Sequence, residues 1–167
     1  VFILPGYASQ GAHYRLLGQL VRAEGYPAVL VDPPDRYEFS VEARGDVTRK
    51  AFQVIEAEAR KPDNPLYGRI ALGHRFAIGH SYGGATLAQN LPVDAQVILT
   101  PGANLAEHAA LFKSARSVTA PTLIIAGDRD PIRFMGQSQV AQRLFQSCQE
   151  GACPSSRLVR WPTGHMA

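Results

Sequence analysis

One serine in this sequence lies in a setting typical of a nucleophile. Ser81 is the third residue of the run GHSYGG at positions 79–84, which has the spacing Gly-x-Ser-x-Gly. An apolar run at 76–78 precedes it, and a helix-forming run at 85–91 follows it. A strand, a sharp turn and a helix in this order form a nucleophile elbow, which presents a serine hydroxyl above the edge of a sheet for acyl transfer.

The glycines around the serine have a steric reason. Ser81 has to occupy a strained backbone conformation at the apex of the turn, and side chains at Gly79 and Gly83 would collide with the neighbouring strand and helix. The helix that follows directs free backbone N–H groups toward developing negative charge. Because Gly-x-Ser-x-Gly also occurs by chance, the interpretation depends on these flanking elements and on two catalytic partners.

The acid of a serine triad is expected directly after a strand that follows the elbow. The apolar run 122–126 predicts that strand, and Asp128 and Asp130 come after it. In a Gly-x-x-Asp turn the fourth residue can point back to a histidine, which favours Asp130. Asp128 is expected to cap the turn or to pair with Arg129.

The base is expected on the loop after the last strand. A strand is predicted at 158–161, and His165 follows it. His165 would take the proton of Ser81, while Asp130 would fix the ring tautomer and stabilise the imidazolium. His80 is adjacent to the serine, cannot reach its hydroxyl, and is expected to pack or hydrogen-bond beneath it. The remaining histidines have no motif around them and are interpreted as ordinary surface or satisfied side chains: His13, His74 and His108.

Acyl transfer also requires two N–H donors for the tetrahedral oxyanion. One is expected to be the backbone N–H of Tyr82, directly after the nucleophile. The other is expected from the loop after the first strand, where Gly6 lets the chain bend and Tyr7 can present its N–H. The Tyr7 ring either walls the acyl pocket or packs within its loop. Three residues beside the triad positions are candidates for the same apolar cleft: Ile132, Trp161 and Met166.

The remaining pattern supplies the elements that would position these residues. Strands are predicted at 1–4, 28–31, 76–78, 96–99, 122–126 and 158–161, and helices at 12–24, 41–60, 85–91 and about 136–147. The inner face of the first helix is expected to consist of Tyr14, Leu17, Leu20 and Val21. This alternation predicts an α/β fold, a three-layer α/β/α sandwich with a mostly parallel central sheet, as one domain over residues 1–167.

Composition excludes several classes of function. The 167 residues are 46% hydrophobic and 19% charged, and the net charge of +3 is scattered rather than clustered, so no nucleic-acid partner is expected. No apolar run approaches the roughly 20 residues that span a bilayer. Cys148 and Cys153 lack histidines at metal spacing, so no metal is expected. A local disulfide and two free thiols are equally compatible with their spacing.

The ends of the sequence bear on its compartment. The chain begins without Met or a signal peptide, inside an apolar run, and stops two residues after His165. These ends suggest a domain trimmed on both sides, so a secreted and a cytoplasmic location both stay open.

Taken together, these motifs resemble the α/β-hydrolase superfamily. The resemblance covers nearly the whole chain and is carried by Pro5-Gly6-Tyr7, by the elbow, by the strand and turn leading to Asp130, and by Gly164-His165-Met166. The sequence is most similar to the group of chlorophyllases, cutinase-like polyester hydrolases and dienelactone hydrolases. The resemblance implies that catalysis is carried by Ser81, Asp130 and His165, with Tyr7 and Tyr82 as oxyanion donors.

The sequence also departs from that group. Most superfamily members have His-Gly in place of Pro5-Gly6, and polyester hydrolases tend to have Met, and chlorophyllases Arg, in place of Tyr82. These differences leave the substrate open. By this resemblance, the sequence is expected to lack the first strands and the last helix of the superfamily. No lid fits between Ser81 and Asp130, so an open cleft is expected.

The sequence therefore predicts a serine hydrolase of small-molecule or polymeric carboxylic esters. Ser81 would form an acyl-enzyme, and a water activated by His165 would release the acid, without a metal or an organic cofactor. A serine peptidase or thioesterase on the same scaffold is the alternative, because a fold does not determine its substrate. A non-catalytic binding protein of this fold is a further alternative, against which the three triad residue types argue.

Overall fold

The computed structural model describes residues 1–127, 137–153, 155–162 and 164, with the backbone alone described at 137 and 138. Among the described residues, six strands form one sheet: β1 (Phe2–Leu4), β2 (Val29–Leu30), β3 (Phe76–His80), β4 (Ala95–Leu99), β5 (Thr122–Gly127) and β6 (Ser156–Trp161). Their order is β2-β1-β3-β4-β5-β6, and every neighbouring pair is parallel. The predicted parallel sheet is confirmed.

Helices connect the strands. The described residues form α1 (Arg15–Ala23), α2 (Val41–Ala59), α3 (Tyr82–Leu87), α4 (His108–Ala115) and α5 (Gln137–Glu150). Short 3-10 turns at Gly11–Tyr14 and Leu105–Glu107 precede α1 and α4. The Ser40 hydroxyl accepts a hydrogen bond from the N–H of Ala43 at 3.1 Å, so a side-chain cap begins α2.

The main core lies between one face of the sheet and the helices α2 to α5. Side chains alternate along a strand, so register partners share a face. One such row runs from Leu4 through Gly79 and Ile98 to Ile124. The side chains of Leu4, Ile98 and Ile124 in this row belong to one buried cluster. The helices contribute to that cluster Phe52, Leu87, Leu111 and Leu144.

The opposite face of the sheet is covered by α1 at the β2 and β1 end. The helix lies close to the sheet at Gly18, where an added Cβ would lie 3.5 Å from Leu30 and 4.0 Å from Ile3. The register partners of Ile3 on the next three strands, Ile78, Val97 and Leu123, are only half-buried. They line an open apolar groove of about 700 Å³. One helix, the sheet and the other four helices thus make three layers, and the α/β sandwich is confirmed.

The structure corrects some element boundaries. The helix predicted at 12–24 begins as a 3-10 turn, and Leu20, expected on its inner face, is 57% exposed. The reason is that α1 packs over the sheet edge at the two-residue strand β2, which covers only a narrow strip of the helix. The helix predicted at 85–91 is α3, which begins at Tyr82, directly after the serine, and ends at Leu87.

The prediction missed α4 and the 3-10 turn before it. The residues that α4 buries are Leu111 and the small Ala115, so the segment lacks a strong apolar period. This omission matters because the segment before α4 supplies contacts to the residue after Ser81.

Candidate active site

Ser81 lies at the carboxyl end of β3 in a strained turn. Its φ of 53° and ψ of −116° lie in a region that residues with a side chain seldom adopt. The N–H of Ser81 donates to the carbonyl of Leu99 at 2.9 Å, and its carbonyl accepts from Ala85 at 3.0 Å and from Gly102 at 3.1 Å. These hydrogen bonds hold the turn in place against β4 and α3. The predicted elbow is therefore present, with a serine that is 7% exposed.

The steric reason predicted for the two glycines is confirmed. A Cβ at Gly79 would overlap the carbonyl oxygen of Gly83 in α3. A Cβ at Gly83 would overlap the carbonyl oxygen of Leu4 at the end of β1. Glycine at both positions lets α3 approach the centre of the sheet closely.

The loop that follows β1 lies against the serine. A Cβ on Gly6 would be 3.2 Å from the Cβ of Ser81 and 3.3 Å from Nδ1 of His80. The N–H of Gly6 donates to the Tyr14 hydroxyl at 2.9 Å, and that hydroxyl lies 2.6 Å from Nδ1 of His80. Burial raises the pKa of Tyr14, which keeps the bridging phenol protonated. The prediction that His80 packs or hydrogen-bonds beneath the elbow is confirmed.

The two residues predicted as oxyanion donors have backbone N–H groups without an acceptor among the described residues. Neither the N–H of Tyr7 nor that of Tyr82 donates a hydrogen bond to any residue in the described part of the chain. Tyr82 is buried and Tyr7 is exposed, and a backbone N–H without a protein partner is available to a ligand. The Tyr7 ring stacks on Phe39, with 4.1 Å between centroids, and lies 6.0 Å from the Tyr82 ring. Loop packing is thus one role of the Tyr7 ring.

The side chain of Tyr82 anchors the turn after the serine. It is 1% exposed; its hydroxyl donates to Glu107 Oε2 at 3.2 Å and accepts from the N–H of Asn104 at 2.7 Å. Burial, and then the Glu107 charge, raise the pKa of Tyr82, so the phenol stays neutral. Glu107 and Asn104 had no sequence signal, because they precede the unpredicted helix α4.

Arg44 is a further residue at the site that sequence reasoning missed. Its side chain lies beneath the loop after β1 and is 4% exposed. The guanidinium donates to the carbonyls of Pro5 at 3.0 Å, Glu38 at 3.0 Å, Arg36 at 3.1 Å and Gly6 at 3.5 Å. Burial lowers its pKa. In the sequence, Arg44 looks like one of the scattered surface charges of a helix.

The strands that lead to the predicted acid and base end at the same edge of the sheet as the strand that leads to the elbow. Gly127, the last residue of β5, pairs with Trp161, the last residue of β6, at the edge where β3 ends. Trp161 is 59% exposed there. The structure thus brings together Ser81, Tyr7 and Tyr82. Four predicted site residues lie outside the described residues: Asp130, Ile132, His165 and Met166.

The described residues contain no group of three or more His, Cys, Asp or Glu side chains that could hold a metal ion. Cys148 and Cys153 are both free thiols, and burial raises the pKa of Cys148 to about 12. No helix within the described ranges combines the length and the apolar character needed to cross a bilayer.

A parallel sheet with a strained serine between its third strand and the next helix defines the α/β-hydrolase class. Within that class, the family described as PETase, PET hydrolase-like, matches residues 1–152. The chain therefore belongs to the PET hydrolase-like family, and it is a hydrolase of the esterase type. No curated protein matches the chain.

Solved structures share the fold at low sequence identity. The chain is similar to the Pyrococcus furiosus esterase Pf2001, with 16% identity and a TM-score of 0.72 over 99% of this chain and 74% of that one. It is also similar to a Paleococcus ferrophilus monoacylglycerol lipase, with 15% identity and a TM-score of 0.70 over 99% and 85%. A putative YdeN-like hydrolase from Pectobacterium atrosepticum matches at 15% identity and a TM-score of 0.64 over 98% and 77%.

Proposed function

We propose that this protein hydrolyses carboxylic esters through an acyl-enzyme formed on Ser81. The observation that carries the proposal is the strained conformation of Ser81, with φ of 53°, at the carboxyl edge of the sheet and in contact with the loop at Gly6. A residue held in such a region costs on the order of 1–3 kcal/mol, and strain of this kind is concentrated at active sites.

The backbone N–H groups of Tyr7 and Tyr82 are the donors for the oxyanion. Two observations support this assignment. Both N–H groups lack a partner among the described residues, and they belong to the two segments that meet at Ser81. Loss of one such donor typically costs about a hundredfold to a thousandfold in kcat.

Asp130 and His165 complete the triad as acid and base. Neighbouring strands are about 4.8 Å apart, so the ends of β3 and β6 are separated by roughly 14 Å. The four residues from 162 to 165 can extend about 13–14 Å, and the imidazole side chain adds to that reach. His165 can therefore approach Ser81. Asp130 follows the end of β5 by a short segment, and β5 is the neighbour of β6. The Asp130 carboxylate can therefore reach the imidazole of His165.

The reaction proceeds in two halves. Ser81 Oγ attacks the ester carbonyl while His165 takes its proton, and the tetrahedral oxyanion accepts hydrogen bonds from Tyr7 and Tyr82. The alcohol then leaves with the proton from His165. A water, deprotonated by His165, attacks the acyl-enzyme and releases the acid. Asp130 holds the imidazole in the tautomer that both halves require.

Membership of the PET hydrolase-like family supports esters, small or polymeric, as the substrates. The names of the structural neighbours, an esterase and a monoacylglycerol lipase, point in the same direction. The partly exposed aromatic rings of Tyr7, Tyr37 and Phe39 lie together beside the site and are suited to apolar acyl or alcohol groups.

Turnover of p-nitrophenyl acetate and butyrate tests this proposal, with a p-nitroanilide and an acyl-CoA measured in parallel. We expect ester turnover that is lost in Ser81→Ala and His165→Ala and falls by about 10⁴ in Asp130→Asn. Asp128→Asn is the matched control and keeps wild-type kcat. Ester turnover that persists in Ser81→Ala would refute the assignment, and preference for the anilide or the thioester would change the substrate class.

A further inference from the structure

We propose that Arg44 is a positioning residue that aims the Tyr7 N–H at the oxyanion. This inference rests on the proposed ester hydrolase function and adds a residue to it. Its basis is a clamp of hydrogen bonds from one buried guanidinium to the loop that lies against Ser81.

The guanidinium of Arg44 contacts backbone carbonyls of two loops. Two of its nitrogens donate to the loop after β1, one to the carbonyl of Pro5 at 3.0 Å and the other to the carbonyl of Gly6 at 3.5 Å. The remaining donor contacts go to Glu38 and Arg36, so the same side chain ties a second loop to the first. The planar fork of an arginine can hold several carbonyl oxygens in fixed directions, which a lysine cannot do.

The geometry of the peptide group relates the contact at Gly6 to the direction of the Tyr7 N–H. In a trans peptide the C=O and the N–H point in opposite directions, and the described part of the chain contains no cis peptide. Because the Gly6 carbonyl is turned toward Arg44, the N–H of Tyr7 in the same peptide is turned away from it. That N–H has no acceptor among the described residues. Arg44 and the Ser9 N–H, which donates to the same carbonyl at 3.3 Å, therefore fix together the direction of the Tyr7 N–H in the loop that lies against Ser81.

Arg44 also brings a positive charge to the site. No carboxylate of a described residue lies within ion-pair distance of Arg44; carbonyl oxygens surround it instead. Its guanidinium carbon also lies 5.7 Å from the centre of the Tyr82 ring. One buried positive charge, on which the Glu38 and Asp35 carboxylates act from beyond ion-pair distance, is thus in contact with both segments that supply the oxyanion donors. Fixed charge of this kind stabilises a transition state more than a ground state, so its loss is expected in kcat.

Arg75 offers a matched control. It is a half-buried arginine, in an ion pair with Glu56 and with its guanidinium carbon 5.7 Å from the centre of the Phe52 ring. It precedes β3 at the amino edge of the sheet, away from Ser81. Substitution of Arg75 therefore tests how much activity is lost through stability alone.

The experiment measures kcat, KM and Tm for the wild type and for Arg44→Lys, Arg44→Met, Arg75→Lys and Arg75→Met with p-nitrophenyl butyrate. We expect Arg44→Met to lower kcat by about 10²–10³, the range for loss of an oxyanion donor, with KM changed by less than about threefold. Arg44→Lys is expected to lose less, because it keeps the charge. The Arg75 variants are expected to lower Tm and to keep kcat within about twofold.

A folded Arg44→Met with wild-type kcat would overturn the inference. A loss of kcat in Arg44→Met no larger than that of an Arg75 variant with a similar fall in Tm would also overturn it. If Arg44→Met does not fold, Arg44→Lys decides the matter, since it must fold and lose kcat without a matching change in KM. Ester turnover by the wild type separates the proposed function from the role of Arg44. A wild type inactive on esters refutes the proposed function, whereas an active wild type with unaffected Arg44 variants refutes only the role of Arg44.

Discussion

Replacement of Gly6 by alanine tests how tightly the loop after β1 must lie against the nucleophile. The added Cβ would lie 3.2 Å from the Cβ of Ser81, whereas carbon atoms in contact prefer about 3.5–4.0 Å. The loop must therefore withdraw by roughly 0.3–0.8 Å, since Ser81 is fixed by its bonds to Leu99 and Gly102. Because a misplacement of about 1 Å can cost a hundredfold, we expect kcat to fall by roughly 10- to 100-fold.

The assay is kcat and KM on p-nitrophenyl butyrate, together with Tm from calorimetry. Gly18→Ala in α1 is the control, because its Cβ would meet Leu30 at an ordinary 3.5 Å. Alanine in a helix interior is expected to stabilise the fold by about 0.5–1 kcal/mol and to leave kcat unchanged. A Gly6→Ala variant with wild-type kcat would show that the loop need not contact the serine, and the reasoning would be wrong.

Three further outcomes are expected. Gly83→Ala does not fold, because its Cβ would overlap the carbonyl oxygen of Leu4, and circular dichroism and solubility check this outcome. Phe52→Ala lowers the free energy of unfolding by about 3–5 kcal/mol in urea titration, since the buried ring packs edge-on against Phe2 with 4.4 Å between centroids. Cys148 resists iodoacetamide at pH 8 in the native protein, because burial raises its pKa to about 12 and the thiolate is the reactive form, and it reacts after denaturation in urea.

The local features of this protein could be predicted because they depend on neighbours in sequence. The elbow is an example, since the glycines at 79 and 83 are required by contacts that any strand, turn and helix of this kind would make. The parallel sheet followed from the alternation of apolar runs with helical segments. The residues that indicate the elbow and the strands lie within a few positions of the elements themselves.

Other features depend on contacts that only the fold creates. Arg44 looks like a surface charge in sequence, and its role becomes visible once residues 5, 6, 36 and 38 surround it. Glu107 anchors Tyr82 from a segment with little apolar periodicity. Periodicity places Leu20 on the apolar side of α1, yet the side chain is exposed. The reason is that periodicity does not give the width of the surface that covers a helix.

The most direct test of the central claim is the site at which a fluorophosphonate modifies the folded protein. We predict one phosphonyl group per chain in the intact mass, located on Ser81 by peptide mapping, and no adduct in Ser81→Ala. A protein that hydrolyses esters yet carries the adduct on another residue, or carries none, would contradict the assignment of Ser81 as the nucleophile.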